Sequence, residues 1–263
     1  MRTGAQNRLR RRRRALHLLD EVLDQPSVVN LIHYSCESLD DRPSGTSPRI
    51  TSIAVRNLGS NSTSSFSIHR VAERNGISAS ELEQHYDRFE RKMLDEFDDF
   101  VRRHLNYKWL HWNMRDSNFG FEAIEHRYRV LGGTPTHVPE AQRIDLAGAL
   151  IDIYGPGYAG HPRMERLIEI NGMSKKDFLG GRDEAAAFES KAYVKLHQST
   201  LRKIDIFANI LARQEDGTLK TLATWKDKYG ATLIGITDAA TEHWLFKTLA
   251  AISIITSITC LFL

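Results

Sequence analysis

The chain has 263 residues, 41% of them hydrophobic and 26% charged, which is enough to bury a sizeable core in one large domain or two small ones. A net charge of +3 excludes a bulk polycation, and two cysteines without a CxxC exclude a disulfide framework or a zinc knuckle. A reducing compartment fits that cysteine usage.

The charge is unevenly spread. Residues 8–14, "RLRRRRR", hold six arginines in seven positions, whereas 81–100 is rich in Glu and Asp. Such a basic run suits phosphate backbones or anionic headgroups, or is a solvated, partly disordered arm. "ALHLLDEVLDQP" then reads as a short amphipathic helix ending before Pro26, and its regularly placed acids argue against a secretory signal.

"VVNLIHYSCES", 28–38, is an apolar run ending in small polar residues, as a buried strand does at its carboxyl end. "DDRPSGTSP" at 40–48 is a loop, and "RITSIAVRNL", "GSNSTS" and "SFSIHRV" read as strand, turn and strand. From Ser80, apolar residues at 82, 86, 89, 93, 97, 100 and 101 predict an amphipathic helix, capped by Ser80 with Glu83 three residues on. "YKWLHWN" is a short strand, and "FGFEAIEHRYRVL" a helix closed by Gly132 and Gly133. "RIDLAGALIDIYG" is a helix or a strand followed by a helix, and "HPRMERLIEINGM" starts a helix with Pro162 in its first turn. Residues 182–214 form a long helical stretch with a break near Gln198, and "ATLIGI" at 231–236 is a strand candidate.

The last segment is different. "TLAAISIITSITCLFL", 248–263, carries no charge, and Trp244–Phe246 extend it to about twenty residues interrupted by Lys247. That length matches the hydrocarbon thickness of about 30 Å. Trp244 suits the headgroup layer, and Lys247 can snorkel. The expectation is a single-pass C-terminal membrane anchor with a cytoplasmic soluble domain. Ser253, Thr256 and Ser257 are small enough to pack anchor helices into a homo-oligomer. Four regions follow: a basic arm with a short helix at 1–27, a main domain at 28–212, a connecting segment at 213–243 and the anchor at 244–263. The element order favours an α/β domain with a mixed central sheet flanked by helices.

The order of elements and motifs resembles the RNase H-like 3′–5′ exonucleases of the DEDD type. "IHYSCESL" stands where that family has Asp-x-Glu at the end of its first strand. "LHWNMRDSNFGFEAI" stands at its second motif, "RIDLA" at its third segment and "GGRDEAAAFES" at its last. The resemblance covers about two-thirds of the chain and implies a nuclease-like domain acting on nucleic acid with Mg²⁺ or Mn²⁺. It matches Glu37 to the first motif's glutamate and Asp183 or Glu184 to the last acid, and a rearranged catalytic site of Glu37, Asp116, Asp183 and Glu184 would bind the metal, with His111 or His126 as ligand or base. Asn113, Arg115 and the run Arg10, Arg11, Arg12, Arg13 and Arg14 become nucleic-acid contacts. Two anionic positions depart from the pattern: Ser35 replaces the first aspartate, and Gly120 the second. Phe178 and Leu179 stand where the general-base histidine belongs. Two metals need several hard anionic ligands, so a non-catalytic binding or effector protein on a degenerate nuclease fold is the alternative. Trp109 and Trp112 are read as core packing before base stacking.

Overall fold

A computed structural model describes residues 4–38, 47–78, 81–115 and 119–230. Asp116, the Ser80 cap, the strand candidate at 231–236 and the anchor at 244–263 lie outside these residues. No described helix is long and apolar enough to cross a membrane.

The chain divides into two compact units. The larger comprises Leu19–Gly148 and His161–Lys220, and the smaller Met1–Leu18, Ala149–Gly160 and Thr221–Leu263.

The larger unit is built on a five-stranded sheet ordered β3-β2-β1-β4-β5. Its strands are β1 (Val29–Cys36), β2 (Ile50–Asn57), β3 (Thr63–Ser67), β4 (Lys108–His111) and β5 (Arg143–Asp145). β1 lies in the middle, antiparallel to β2 with Tyr34 opposite Ile53 and parallel to β4 with Ile32 opposite His111. β5 continues the parallel half, whereas β3 adds antiparallel to β2. The helices in chain order are α1 (Gly4–Asp24), α2 (Ile68–Arg74), α3 (Tyr86–Arg103), α4 (Phe121–Val130), α5 (Leu146–Tyr154), α6 (Arg163–Ile170), α7 (Gly181–Glu189), α8 (Tyr193–Glu215) and α9 (Trp225–Tyr229).

β1 is buried from Val29 to Ser35, so both of its faces are covered. Alternation divides its side chains between them. Ile32 and Tyr34 join Phe89, Met93 and Phe97 of α3 in the main apolar core. His33 and Ser35 face α8, where Phe207 meets the His33 ring and Thr200 meets the Ser35 hydroxyl. α3 places Tyr86, Phe89, Met93 and Phe97 on one stripe, with Asp87 in its first turn and Arg102 and Arg103 in its last, as the helix dipole favours.

Three sequence expectations need correction. The arginine run is helical throughout, because Leu9, Arg12, Ala15 and Leu19 recur at helical spacing on the buried side of α1. Residues 68–71 leave the expected strand for α2, whose Ile68, Val71 and Ala72 follow the i, i+3, i+4 pattern and are buried together. The long C-terminal helical stretch breaks at 190–192. There Ser190 Oγ donates to the carbonyl of Ala186 and Lys191 adopts φ 57, a left-handed stop. "RIDLAGALIDIYG" takes its strand-then-helix form, β5 followed by α5.

Candidate functional site

A cleft of about 250 Å³ opens at the carboxyl end of β1, lined by Tyr34 through Ser38, Phe119, Gly181, Glu184 and Ala185. A strand end that emerges between two helical layers is where open α/β sheets leave room for ligands. The sheet register brings Ser35 and Glu37 there, the start of α7 brings Glu184, and the chain entering α4 brings Phe119, which stacks on Tyr34 at 4.6 Å.

Glu184 is the centre of the polar network. Ser35 Oγ donates to its Oε1 at 3.0 Å, Ser199 Oγ approaches the same oxygen at 3.4 Å, and Lys203 Nζ lies 2.7 Å from Oε2. Lys203 is 5% exposed, so its ammonium is held in the interior by this carboxylate and by the Phe178 ring, 5.5 Å away. Thr200 Oγ1 is 2.7 Å from both Ser35 and Ser52. A hydroxyl has one proton and a carboxylate only accepts. Ser35 therefore gives its proton to Glu184, and Thr200, which donates to the Leu196 carbonyl at 2.9 Å, accepts from Ser52. Beside this chain, His33 is fully enclosed, and neither ring nitrogen has a hydrogen-bond partner among the described residues. Burial, then the charge of Lys203, holds its pKa well below that of a free histidine, so the ring is neutral.

Glu37 shares the cleft but answers to a different cation. Its Oε1 is 3.5 Å from Arg49, whose backbone N–H also donates to Oε2 at 3.3 Å. Arg49 reaches on to Glu83 at 2.7 Å, and Tyr193 OH donates to Glu83 at 2.6 Å. Cys36 also lines the cleft and is half-buried.

The other sequence-selected residues gather elsewhere. His111, 3% exposed, accepts from the Met114 N–H through Nδ1 at 3.2 Å, and burial lowers its pKa to about 4 against the pull of Asp145. Asp145 organises that corner. Its Oδ1 accepts the N–H groups of Asn113 and Ala147 at 2.9 and 3.1 Å, and Arg115 Nε lies 2.9 Å from Oδ2. Asn113 sits at φ 56, a conformation its short amide tolerates, and Arg115 donates to its side-chain oxygen. A Cβ at Gly148 would come within 2.8 Å of Asp145 Oδ2, so a glycine in α5 is what lets this carboxylate sit over the helix start. Arg115 is 56% exposed and bridges to Gly120, next to Phe119. Asp183 is exposed and absent from the cleft lining.

The basic run resolves into two sets. Arg12 is buried, its guanidinium 4.7 Å from the Tyr229 ring, which corrects its expected role as a nucleic-acid contact. Arg10, Arg11, Arg13 and Arg14 are exposed. Trp109 is fully buried and Trp112 stacks on Phe207, both in the core.

Two site residues escape the sequence reading. Lys203 carries a usable signal, since it falls in line with Leu196, Ser199, Thr200 and Phe207 on the buried face of α8, where a lysine needs a partner. Asp145 lies in "RIDLA", matched to the third segment, but carries no assigned role there. Among the described residues, no group of three or more His, Cys, Asp and Glu side chains is arranged to hold a metal ion. The acids that share the cleft, Glu37 and Glu184, are each engaged by a protein cation, so the described donors do not fit a two-metal centre.

No protein-family model matches the chain. No curated protein matches it either. Among solved structures, it is distantly similar to the family B DNA polymerase from the hyperthermophilic archaeon Pyrobaculum calidifontis, with 17% identity and a TM-score of 0.46. The overlap covers 71% of this chain and 24% of the polymerase chain, so the match spans about a quarter of that protein's length.

Proposed function

We propose that the larger unit is an RNase H-like domain that binds single-stranded nucleic acid without hydrolysing it, and that the apolar tail at 244–263 tethers it to a membrane. The observation that carries this reading is the buried Glu184–Lys203 pair beside Ser35. Two-metal hydrolysis needs a surplus of carboxylate charge to draw in divalent ions and hold them a few ångströms apart. Here Glu184 stands against Lys203, and Glu37 shares Arg49 with Glu83, so each acid of the cleft already has a protein cation beside it. A divalent ion on Glu184 would have to displace an ammonium already at hydrogen-bond distance, or sit against it in a poorly screened interior.

The cleft retains what is needed to hold a strand. Phe119 offers a ring on which a base stacks in any sequence context, and the adjacent Arg115 is exposed enough to meet a phosphate. Glu37 and Glu184 have lone pairs to spare for the amino group of a base. Fluorescence anisotropy of a labelled single-stranded oligonucleotide with the detergent-solubilised chain tests the reading. Binding is expected to weaken with salt, and Phe119→Ala to lower affinity by about ten- to a hundredfold, the worth of one stacked base. Affinity unchanged by Phe119→Ala removes the cleft from the proposal.

A further inference from the structure

The larger unit holds a second concavity that the nucleic-acid reading does not use. β2 runs antiparallel to β1, so its last residues lie beside Asn30 and Leu31, at the opposite end of β1 from Ser35 and Glu37. Leu31 and Ser35 are about 13 Å apart along the strand. At that far end a pocket of about 510 Å³ forms between the β2–β3 turn, the chain leaving α6 and the carboxyl half of α8. Its size is that of a small-molecule site.

The charge in this pocket is one-sided. Arg202, Asp205, Asn209 and Arg213 recur at three- and four-residue steps, so α8 turns one polar stripe towards it, and β2 adds Arg56. Asp205 is the one acid among the described lining residues, so three guanidiniums share a single carboxylate. All three arginines are half-buried, where charge is screened less than on open surface. Arg56 donates to Asp205 Oδ1 at 2.7 Å and to Asn61 Oδ1 at 2.8 Å. Arg202 donates to the Ser174 carbonyl at 2.6 Å, and Arg213 to Asn209 Oδ1 at 2.7 Å. A guanidinium has five N–H groups, so these bonds leave most of the donors unspent. Arg56 Nε and Arg202 Nε are buried with no acceptor among the described residues. The bridge to Asp205 accounts for Arg56, and the helix dipole for Arg213 in the last turn of α8. Neither reason covers Arg202, whose one bond is to a neutral carbonyl.

We infer that this pocket binds a small organic phosphate, its phosphate oxygens taken by Arg56, Arg202 and Arg213 and its uncharged body resting on Leu58, Met173 and Ile206. Guanidinium forks match phosphate oxygens in paired, charge-assisted bonds. Excess positive charge in a concavity with apolar walls focuses the field that draws a dianion in. The site goes beyond the strand-binding reading, since it uses other residues at the other end of the sheet.

Isothermal titration calorimetry of the detergent-solubilised full chain tests the inference with ADP, pyrophosphate and adenosine as probes. ADP is expected to bind saturably and more tightly than pyrophosphate, and adenosine not to bind. Arg202→Gln and Arg213→Gln should each weaken ADP by about tenfold, the loss of one charge-assisted contact. Asp205→Asn keeps an oxygen for Arg56 and removes the competing charge, so it should tighten ADP, a gain that damage to the fold does not produce. No saturable binding of ADP, ADP no tighter than pyrophosphate, affinity indifferent to both arginine substitutions, or no gain from Asp205→Asn would overturn the inference. A short single-stranded oligonucleotide should leave ADP bound. Displacement of ADP by that strand would refute a separate site, whereas failure of the strand to bind at all would count against the cleft reading alone.

Discussion

Arg127–Glu90 and Lys203–Glu184 are ion pairs of the larger unit with buried cations, and their differences separate scaffold from site. Glu90 of α3 is wholly enclosed: Arg127 grips both its oxygens, and the Ile50 N–H donates to it at 2.6 Å. Burial pushes the Glu90 carboxyl above its ordinary range, with the Arg127 bonds pulling the other way. Arg127 also reaches Asp87 at 2.6 Å. The result is a closed clamp joining α3, α4 and β2 with nothing left to offer a ligand. Glu184 is held as firmly by Lys203, but it is 18% exposed and faces a cleft with Glu37 and Phe119. Burial of a charge pair alone does not mark a site; a charge pair at the wall of an open cleft does.

The largest effect is expected at the clamp. Arg127→Met leaves Glu90 buried without its cation and should cost about 4 kcal/mol in chemical denaturation. Lys203→Met should cost about 3 kcal/mol, since Glu184 can turn towards the cleft and water. Adding Glu184→Gln should return most of that loss, and a double substitution no better than the single one would break the contrast between the two pairs.

Acid provides a smaller effect with a definite sign. His111 and His197 are lowered to about 4, in each case chiefly by burial, and for His197 also by His69 and Arg70. Between a free histidine's pKa of about 6.5 and that value, the unfolded chain takes up protons that the folded one refuses. Stability should therefore fall as pH drops from about 6.5 to 4 and change less steeply below it. His197→Gln should flatten the profile, and a profile unaltered by this substitution would show that the ring is not neutral in the fold.

Much of the framework was legible. An apolar run ending in small polar residues marks β1, alternation and turn chemistry mark β2, and the three-four spacing of 86, 89, 93 and 97 marks α3. The errors arose where two periods fit the same letters. "SFSI" alternates as a strand does, but Ile68 also opens the apolar trio with Val71 and Ala72 that belongs to a helix. The site was half legible. Glu37 and Glu184 come from the motif positions that the resemblance implies, and they line one cleft. His111, Asn113 and Arg115 gather around Asp145 because β4 ends a strand away, a separation that linear spacing does not show. Lys203 shows in the sequence as a lysine on the buried face of α8, but its partner Glu184, nineteen positions earlier on α7, does not.

Lys203 sets its ammonium against Glu184 at the wall of the cleft, and the proposed reading is that this pair keeps divalent ions out. Titration of the full chain with Mn²⁺, followed by electron paramagnetic resonance alongside a labelled single strand, tests it most directly. The account predicts that the ion stays free and the strand stays intact. Mn²⁺ bound by the wild-type chain, with nucleotide release that Glu184→Gln abolishes, would contradict it.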